Sequence, residues 1–419
     1  MPSCPTSKVL QRRRVLIFEP DAEGHSQEWL QHLSDYVAAN EAAPAIIVLA
    51  PPALCASLTT AMPAAPDGRI RFIALAPREA RLCSHRFLSL AAFARWWVMR
   101  RYLGMSGADV GFFLSLDLLC LPLAFGLQAW GKPLAGILFR PSVHYADFGS
   151  YRPRFAERLR DLRKDLLYRL MLRNPAVGAI LSLDPFFPAH AISHYSHGQK
   201  VQAVPDPTHP ASGTRGFLDP DDFGASGRTR FLLFGYLTER KGPLTVLDAL
   251  RLLPDRIAAR VAVRFAGRID PAIRDAIEAR RDLLAHKHPL LRLHIEDRRL
   301  DQSELEMLVT NSDIVLAPYQ RFVGSSGVLL WAARAGRPVL AQEFGLVGRL
   351  TRDHRLGAVA DSSDPAKLAA QIECMVEGGP QSFIDLSSAA RFAASRTPHR
   401  FASIVLSSVD DGGVTAAST

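Results

Sequence analysis

The feature that most constrains this chain is a repeated alternation of short apolar runs, too brief for helices, with longer stretches of helical periodicity. In the N-terminal half the runs are Arg14 to Phe18, Ala45 to Leu49, Ile70 to Ala76, Val110 to Leu114, Pro133 to Phe139 and Ala176 to Leu183, and a helical pattern fills Gln27 to Ala39. Continuous apolar runs read as strands buried on both faces, and strands alternating with helices build a parallel sheet covered on both sides. The alternation restarts with strands at Thr229 to Phe234, Arg260 to Ala266, Leu291 to Ile295, Ile314 to Ala317 and Arg337 to Ala341. Helices are predicted between them at Leu244 to Leu252, Pro271 to Ala285, Gln302 to Thr310 and Gly327 to Ala335. Where the two series meet, Pro205, Pro207, Pro210, Gly213, Gly216, Pro220, Gly224 and Gly227 crowd the chain as in a linker.

The expectation is an α/β protein of two Rossmann-like, doubly wound domains facing across a cleft at the carboxyl ends of both sheets, where open α/β sheets bind ligands. A chain of 419 residues suits two domains. The expected layout is a disordered tail over 1–14, a first domain over 15–203, a linker over 204–228, a second domain over 229–382, closing helices over 383–406 and a disordered tail over 407–419. Five cysteines without CxxC pairing argue against a disulfide framework or a structural zinc site and fit a reducing cytoplasm. Residues 1–14 hold no apolar core of a signal peptide, and the apolar stretch Gly111 to Trp130 is interrupted by Asp117 and Pro122, so it reads as buried strand and helix.

Charge is distributed unevenly. Residues 76–101 and residues 151–175 each carry a net +5, together more than the +9 of the whole chain. Both segments interleave cations with Phe87, Phe93, Trp96, Trp97, Tyr102, Phe155 and Tyr168. Two readings stay open: a solvated basic face whose apolar side packs on the core, or a face that meets an anionic membrane surface or acceptor. No nucleic-acid-binding signature accompanies the charge, so no nucleic-acid partner is expected.

Four local motifs carry candidate chemistry. "FGYLTERKG" follows a strand, and Gly235, Tyr236, Arg240 and Lys241 set loop amides and two adjacent cations at a helix start, which suits a phosphate; an ordinary strand-to-helix turn with exposed charges reads equally well. "YQRFVGSSG" places Ser325, Ser326 and Gly327 where a helix begins, as an anion cradle or a plain helix cap. Gly24 and His25 fall in the first strand-to-helix turn, where a ligand approaches or a histidine is simply solvated. His144 follows the strand ending at Phe139 and suits a sugar hydroxyl or proton transfer, or a satisfied loop position. His190, His194 and His197 have a helical metal spacing without a companion carboxylate or thiol, and Asp219-Pro-Asp221 lies in the linker, so no metal site is expected.

In order and spacing, "FLLFGYLTERKG", "VRFAGR", "SELEMLVTNSDIVLAPY", "GSSGVLLWAARAGRPVLAQEFG" and "LGAVADSSDPAKLAAQI" resemble the nucleotide-binding domain of GT-B glycosyltransferases of family 4. The N-terminal half is similar more loosely, through Gly24-His25, "GAILSLDPFF" and "KVQAVPDP". The resemblance implies a GT-B fold and a hexosyl-type glycosyltransferase. Such an enzyme moves sugar from a nucleotide-diphosphate donor, without a metal cofactor and with retention of configuration, to a glycan, lipid-linked or small-molecule acceptor. It implies Lys241 as the catalytic lysine on the diphosphate and His144 as the histidine supporting the reacting sugar. The two serines with Gly327 are read beside them as further diphosphate contacts, and Gly24 and His25 as lining the acceptor side. The family's arginine position is Tyr236 here, with Arg240 taking part of its charge, and its two glutamates fall on Val323 and Trp331. The place expected from the cysteines and the two basic segments is the cytoplasm, peripheral on the inner face of the membrane. A non-catalytic sugar-nucleotide or glycan binder of the same fold is the other reading, favoured by the two missing carboxylates.

Overall fold

The computed structural model describes residues 12–21, 26–61, 68–148, 153–208 and 227–410. They form two compact units. The first takes the chain up to Val143, Arg154–Pro207 and the chain from Pro398 on; the second takes His144–Pro153 and Thr208–Thr397.

The first unit is built on strands β1 (Arg14–Phe18), β2 (Ala45–Ala50), β3 (Ile70–Ala74), β4 (Val110–Phe113), β5 (Leu134–Leu138), β6 (Val177–Ser182) and β7 (Val201–Ala203), all parallel, in the order β3-β2-β1-β4-β5-β6-β7. Helices α1 (Ser26–Ala39), α2 (Pro52–Ala61), α3 (Pro77–Cys83), α4 (Leu88–Met105), α5 (Cys120–Ala124), α6 (Phe155–Arg173) and α7 (Phe187–His194) connect them. The period of two along β1 sorts its side chains: Val15 and Ile17 join a core with Trp29, Leu33 and Val405, while Leu16 and Phe18 join another with Met99, Leu103 and Met171. Helices α4, α5 and α6 therefore cover one face of this sheet, with α1 and α2 on the other.

The second unit carries β8 (Thr229–Phe234), β9 (Val261–Ala266), β10 (Arg292–Glu296), β11 (Ile314–Ala317), β12 (Val339–Gln342) and β13 (Gly357–Ala360), again all parallel, in the order β10-β9-β8-β11-β12-β13. Its helices are α8 (Pro243–Arg251), α9 (Asp255–Ala258), α10 (Arg274–Lys287), α11 (Gln302–Thr310), α12 (Gly327–Arg334), α13 (Gly345–Asp353), α14 (Pro365–Gly378) and α15 (Leu386–Ala394). The last helix, α16 (Pro398–Asp410), is part of the first unit, where Phe401 and Phe139 hold the buried Trp29 between ring centroids 4.9 and 5.1 Å away. In both sheets the chain winds outward from a central pair, β1 and β4 or β8 and β11, and the carboxyl end of that pair is the topological switch point.

Several expected boundaries shift. Arg14, placed in the tail by the expected layout, pairs with Ala45, and residues 407–410, also placed in a tail, belong to α16, with Val409 buried. The closing helices part company, α15 packing on α12 and α16 on α1. Residues 144–153, expected in the first domain, cluster with the second unit. Strand β7, read only as the approach to the linker, extends the sheet because Val201–Ala203 finds the open edge of β6. Gly24, His25 and Asp219-Pro-Asp221 lie outside the described residues, as do residues 209–226 of the expected linker.

Candidate functional site

The second unit's switch point gathers most of the cations and serines singled out in the sequence. Strand β8 ends at Phe234, and Gly235 follows with a φ of +95°. A Cβ on Gly235 would lie 2.5 Å from the Lys241 ammonium, which donates to the Phe234 carbonyl at 2.6 Å. Glycine suits the left-handed backbone here, and a side chain would displace the ammonium from the Phe234 carbonyl. Gly267, at the end of β9, has a φ of +135°, and a Cβ there would meet the Gly235 carbonyl oxygen at 2.1 Å. Burial, together with the neighbouring Arg240 guanidinium, lowers the Lys241 ammonium from 10.5 to about 8. A group so poised gains from any anion that reaches it.

The loop after β11 closes on the loop after β8. Gln320 N–H donates to the Arg240 carbonyl at 2.8 Å, and Gly242, with a φ of +80°, has no room for a Cβ because the Pro318 oxygen would lie 2.3 Å from it. The Arg240 guanidinium rests 4.7 Å above the Phe322 ring. Ser326 is the N-cap of α12: its Oγ accepts from Val328 N–H at 3.3 Å and shares a 2.7 Å hydrogen bond with the buried Tyr319 hydroxyl. The capping reading of this serine therefore holds in the structure. In front of Gly327 a Cβ would meet nothing within 4 Å, so the start of α12 opens on free space. The N–H groups of its first turn face the amino end of the helix, and that of Val328 is taken by Ser326 Oγ.

Two glutamines tie the remaining loops in. Gln320 Nε2 donates to the Ser362 carbonyl at 2.8 Å, while buried Gln342 accepts from Phe322 N–H and donates to the Phe322 and Phe344 carbonyls at 2.7 and 3.0 Å. The carboxyl ends of β8, β11, β12 and β13 are thereby cross-linked side by side. Sequence reasoning missed Gln320, Gln342 and Tyr319; the signal available was their position within three residues of the end of an apolar run.

Next to this cluster, at the ends of β12 and β13, lies a cavity of about 180 Å³, lined among others by Arg321, Glu343, Arg352, Asp361 and Phe148. His144 belongs to the same unit, contrary to its expected place in the first domain. Its buried ring meets Tyr145 and Phe148 edge to face at 5.2 and 4.9 Å, and Tyr145 in turn packs on Phe344. The chain turns there because Gly345, with a φ of +63°, leaves the Tyr145 ring the space of a side chain.

Tyr236 is half exposed, and the guanidinium nearest its ring among the described cation–ring contacts is that of Arg268, 5.9 Å away. Trp331 instead pairs with Arg334 at 4.5 Å. In the first unit, the matching switch point ends at Glu19. Buried at 3 % exposure, its carboxyl is raised from 4.5 to about 7, by burial first, against the Asp21 N–H bond that favours the charged form. Of the three spaced histidines, His190 and His194 stack on α7 at 4.0 Å, but His197 lies beyond the helix in a left-handed turn. Among the described residues no group of His, Cys, Asp and Glu is arranged to hold a metal ion.

Comparison with known proteins bears on this geometry. Residues 228–377 match the family model described as Glycosyl transferases group 1. No curated protein matches the sequence. Similar solved structures include HepE of Anabaena in complex with UDP, 15% identical, with a TM-score of 0.61 over 95% of this chain and 98% of that one. WaaG, a glycosyltransferase involved in lipopolysaccharide biosynthesis, is 16% identical with a TM-score of 0.63 over 95% of this chain and 100% of that one. A UDP-forming trehalose-phosphate synthase from Burkholderia xenovorans is 12% identical with a TM-score of 0.65 over 97% and 100%. At such identities the likeness is one of fold, and that fold is GT-B.

Proposed function

With a GT-B fold and a group 1 glycosyl transferase match across its second unit as the premise, we propose that this protein is a glycosyltransferase using a nucleotide-diphosphate sugar. The observation that carries the reading is the pairing of the Lys241 ammonium, on the loop after β8, with the open start of α12, on the loop after β11, at one switch point. Transfer breaks the bond between the anomeric carbon and the diphosphate, which departs with the electron pair, and forms a bond to an acceptor hydroxyl. Charge grows on the diphosphate as it leaves, so groups fixed in advance around it lower the barrier. Lys241, Arg240 and the N–H groups of Ser326 and Gly327 are the groups for that task, and in this reading they take the place of a metal ion. Gly235 and the turn at Ser325 shape their surroundings.

UDP sugars are the first donors to try, since HepE is held in complex with UDP. The hexosyl type, retention of configuration and a glycan, lipid-linked or small-molecule acceptor complete the reading. His144 supports the sugar, and the first unit, with Glu19 at the end of β1, recognises the acceptor. A second reading, a binder of sugar nucleotides without transfer, draws on Val323 and Trp331, where the family's carboxylates are replaced. Release of UDP from UDP sugars, with thermal shift as the binding readout, separates the two. Turnover that Lys241→Ala abolishes supports transfer; stabilisation by a donor without turnover supports the binder; neither, across nucleotide sugars, overturns both.

A further inference from the structure

We propose that the face of the first unit formed by α4, α5 and α6 docks on an anionic lipid bilayer. The inference stands on surface geometry and does not rest on the transfer reading. Helix α6 has two apolar stripes where a globular helix needs one. Tyr168, Met171 and Leu172 are buried in the core, whereas Phe155, Leu159, Leu162, Leu166 and Leu170 fall within about 80° of one another on the opposite side, at 100° per residue. That second stripe is exposed, Phe155 at 82 % and Leu162 at 66 %.

Helix α4 repeats the design. Val98, Met99 and Leu103 pack on the sheet, and Leu90, Phe93 and Trp97 stand on the far side, all exposed. The two helices cover the same face of the sheet, and α5 bridges them: it packs against both, and its C-cap Phe125, 70 % exposed, has its ring 6.1 Å from Phe93. Scattered exposed apolar residues are ordinary, but aligned stripes on neighbouring helices mark an interaction surface.

Cations flank both stripes. Arg158, Arg163 and Arg173 border the α6 stripe, and Arg100 and Arg101 border that of α4. At the end of α4, an open groove of about 580 Å³ lies among Trp97, Arg101, Met105 and Trp130, where the Arg100 guanidinium sits 4.1 Å over the Trp130 ring. Aromatic rings and guanidinium groups beside an apolar stripe match the headgroup level of a membrane, with acyl chains for the leucines and lipid phosphates for the arginines. A nucleic acid would use the cations and leave the leucines in water. A second copy of this face would bring like charge against like charge.

The test is flotation of the full chain with vesicles of phosphatidylcholine, with and without phosphatidylglycerol. Binding is expected to the phosphatidylglycerol vesicles and to fall as salt rises. The pair Leu162→Asp/Leu166→Asp, and separately Trp97→Asp, should each weaken it at least about ten-fold, as should Arg158→Glu/Arg163→Glu, with melting temperatures and donor-induced thermal shift unchanged. No binding to phosphatidylglycerol vesicles, or equal binding to phosphatidylcholine alone, overturns the proposal. Loss only in the arginine variant assigns the face to a soluble polyanion and overturns it too. So does a dimer, seen by light scattering, that the leucine variant dissolves while no vesicle binding occurs.

Discussion

The two units share one architecture and differ at the same point in it. Each sheet winds out from its first strand, β1 or β8, and an ionisable group sits at the end of each: buried Glu19, next after β1, in the first unit, and in the second the Lys241 ammonium, which reaches back to the Phe234 carbonyl. Burial pushes both toward neutrality, Glu19 up to about 7 and Lys241 down to about 8. The same end of the first strand thus holds a protonatable acid in one unit and a titratable cation in the other. The lesson is that a doubly wound sheet supplies the place for a ligand, while a single side chain at the switch point decides the sign of charge the place will accept.

That contrast can be broken. The largest effect is expected from Glu19. Its folded pKa lies above its unfolded one, so the native state holds the proton more tightly and stability falls as pH rises from 4.5 to about 7. The full span is worth on the order of 3 kcal/mol. Urea denaturation across that range should show the decline in the wild type and a flat profile in Glu19→Gln; equal slopes would mean that the carboxyl is not held neutral.

Next comes Lys241→Ala. Loss of a charge-assisted contact is expected to weaken UDP binding about ten- to a hundred-fold by calorimetry. Unchanged affinity would remove the cation from the comparison. The same group sets a pH limit: UDP affinity should fall by up to about ten-fold per pH unit above 8, where the free Lys241 loses its proton, and this dependence should vanish in Lys241→Ala. The smallest change is Ser326→Ala, which removes the cap of α12 and its bond to Tyr319 at a cost of about 1 kcal/mol in denaturant unfolding. A larger loss of UDP affinity than of stability would show that the hydroxyl serves the ligand as well as the helix.

The strands and most helices were legible because their signals are local. β8 and β11 lie where the apolar runs place them, and Gln302–Thr310 forms a helix with the expected ends. Lys241 was legible for the same reason, a cation between a strand end and a glycine. Elsewhere local signals misled. The helix expected from Pro271 opens as a 3-10 turn before Arg274. At Ser326 the local signal left an anion donor and a cap open, and the structure takes the cap, with the oxygen on Val328 N–H and Tyr319. His144 was assigned by the strand it follows, but its aromatic neighbours Tyr145 and Phe148 pack among residues of the second unit. The second stripes of α4 and α6 were visible only as basic segments rich in aromatics, since periodicity cannot say which of two apolar faces meets the core.

By itself, then, the amino-acid order determined two parallel sheets, their approximate strand limits, and a cation and a serine turn each placed just after a strand. Those properties depend on neighbours a few residues away. Tertiary structure alone decided that β8 lies beside β11, so that loops some eighty positions apart meet at one end of these strands; at the other end Arg230 donates to Asp313, 83 residues on. It also decided that glutamines at 320 and 342 lock the loops together, and which helix faces remained in water. Strand order and burial are set by how the whole chain fills its cores, and no local stretch of sequence holds that information.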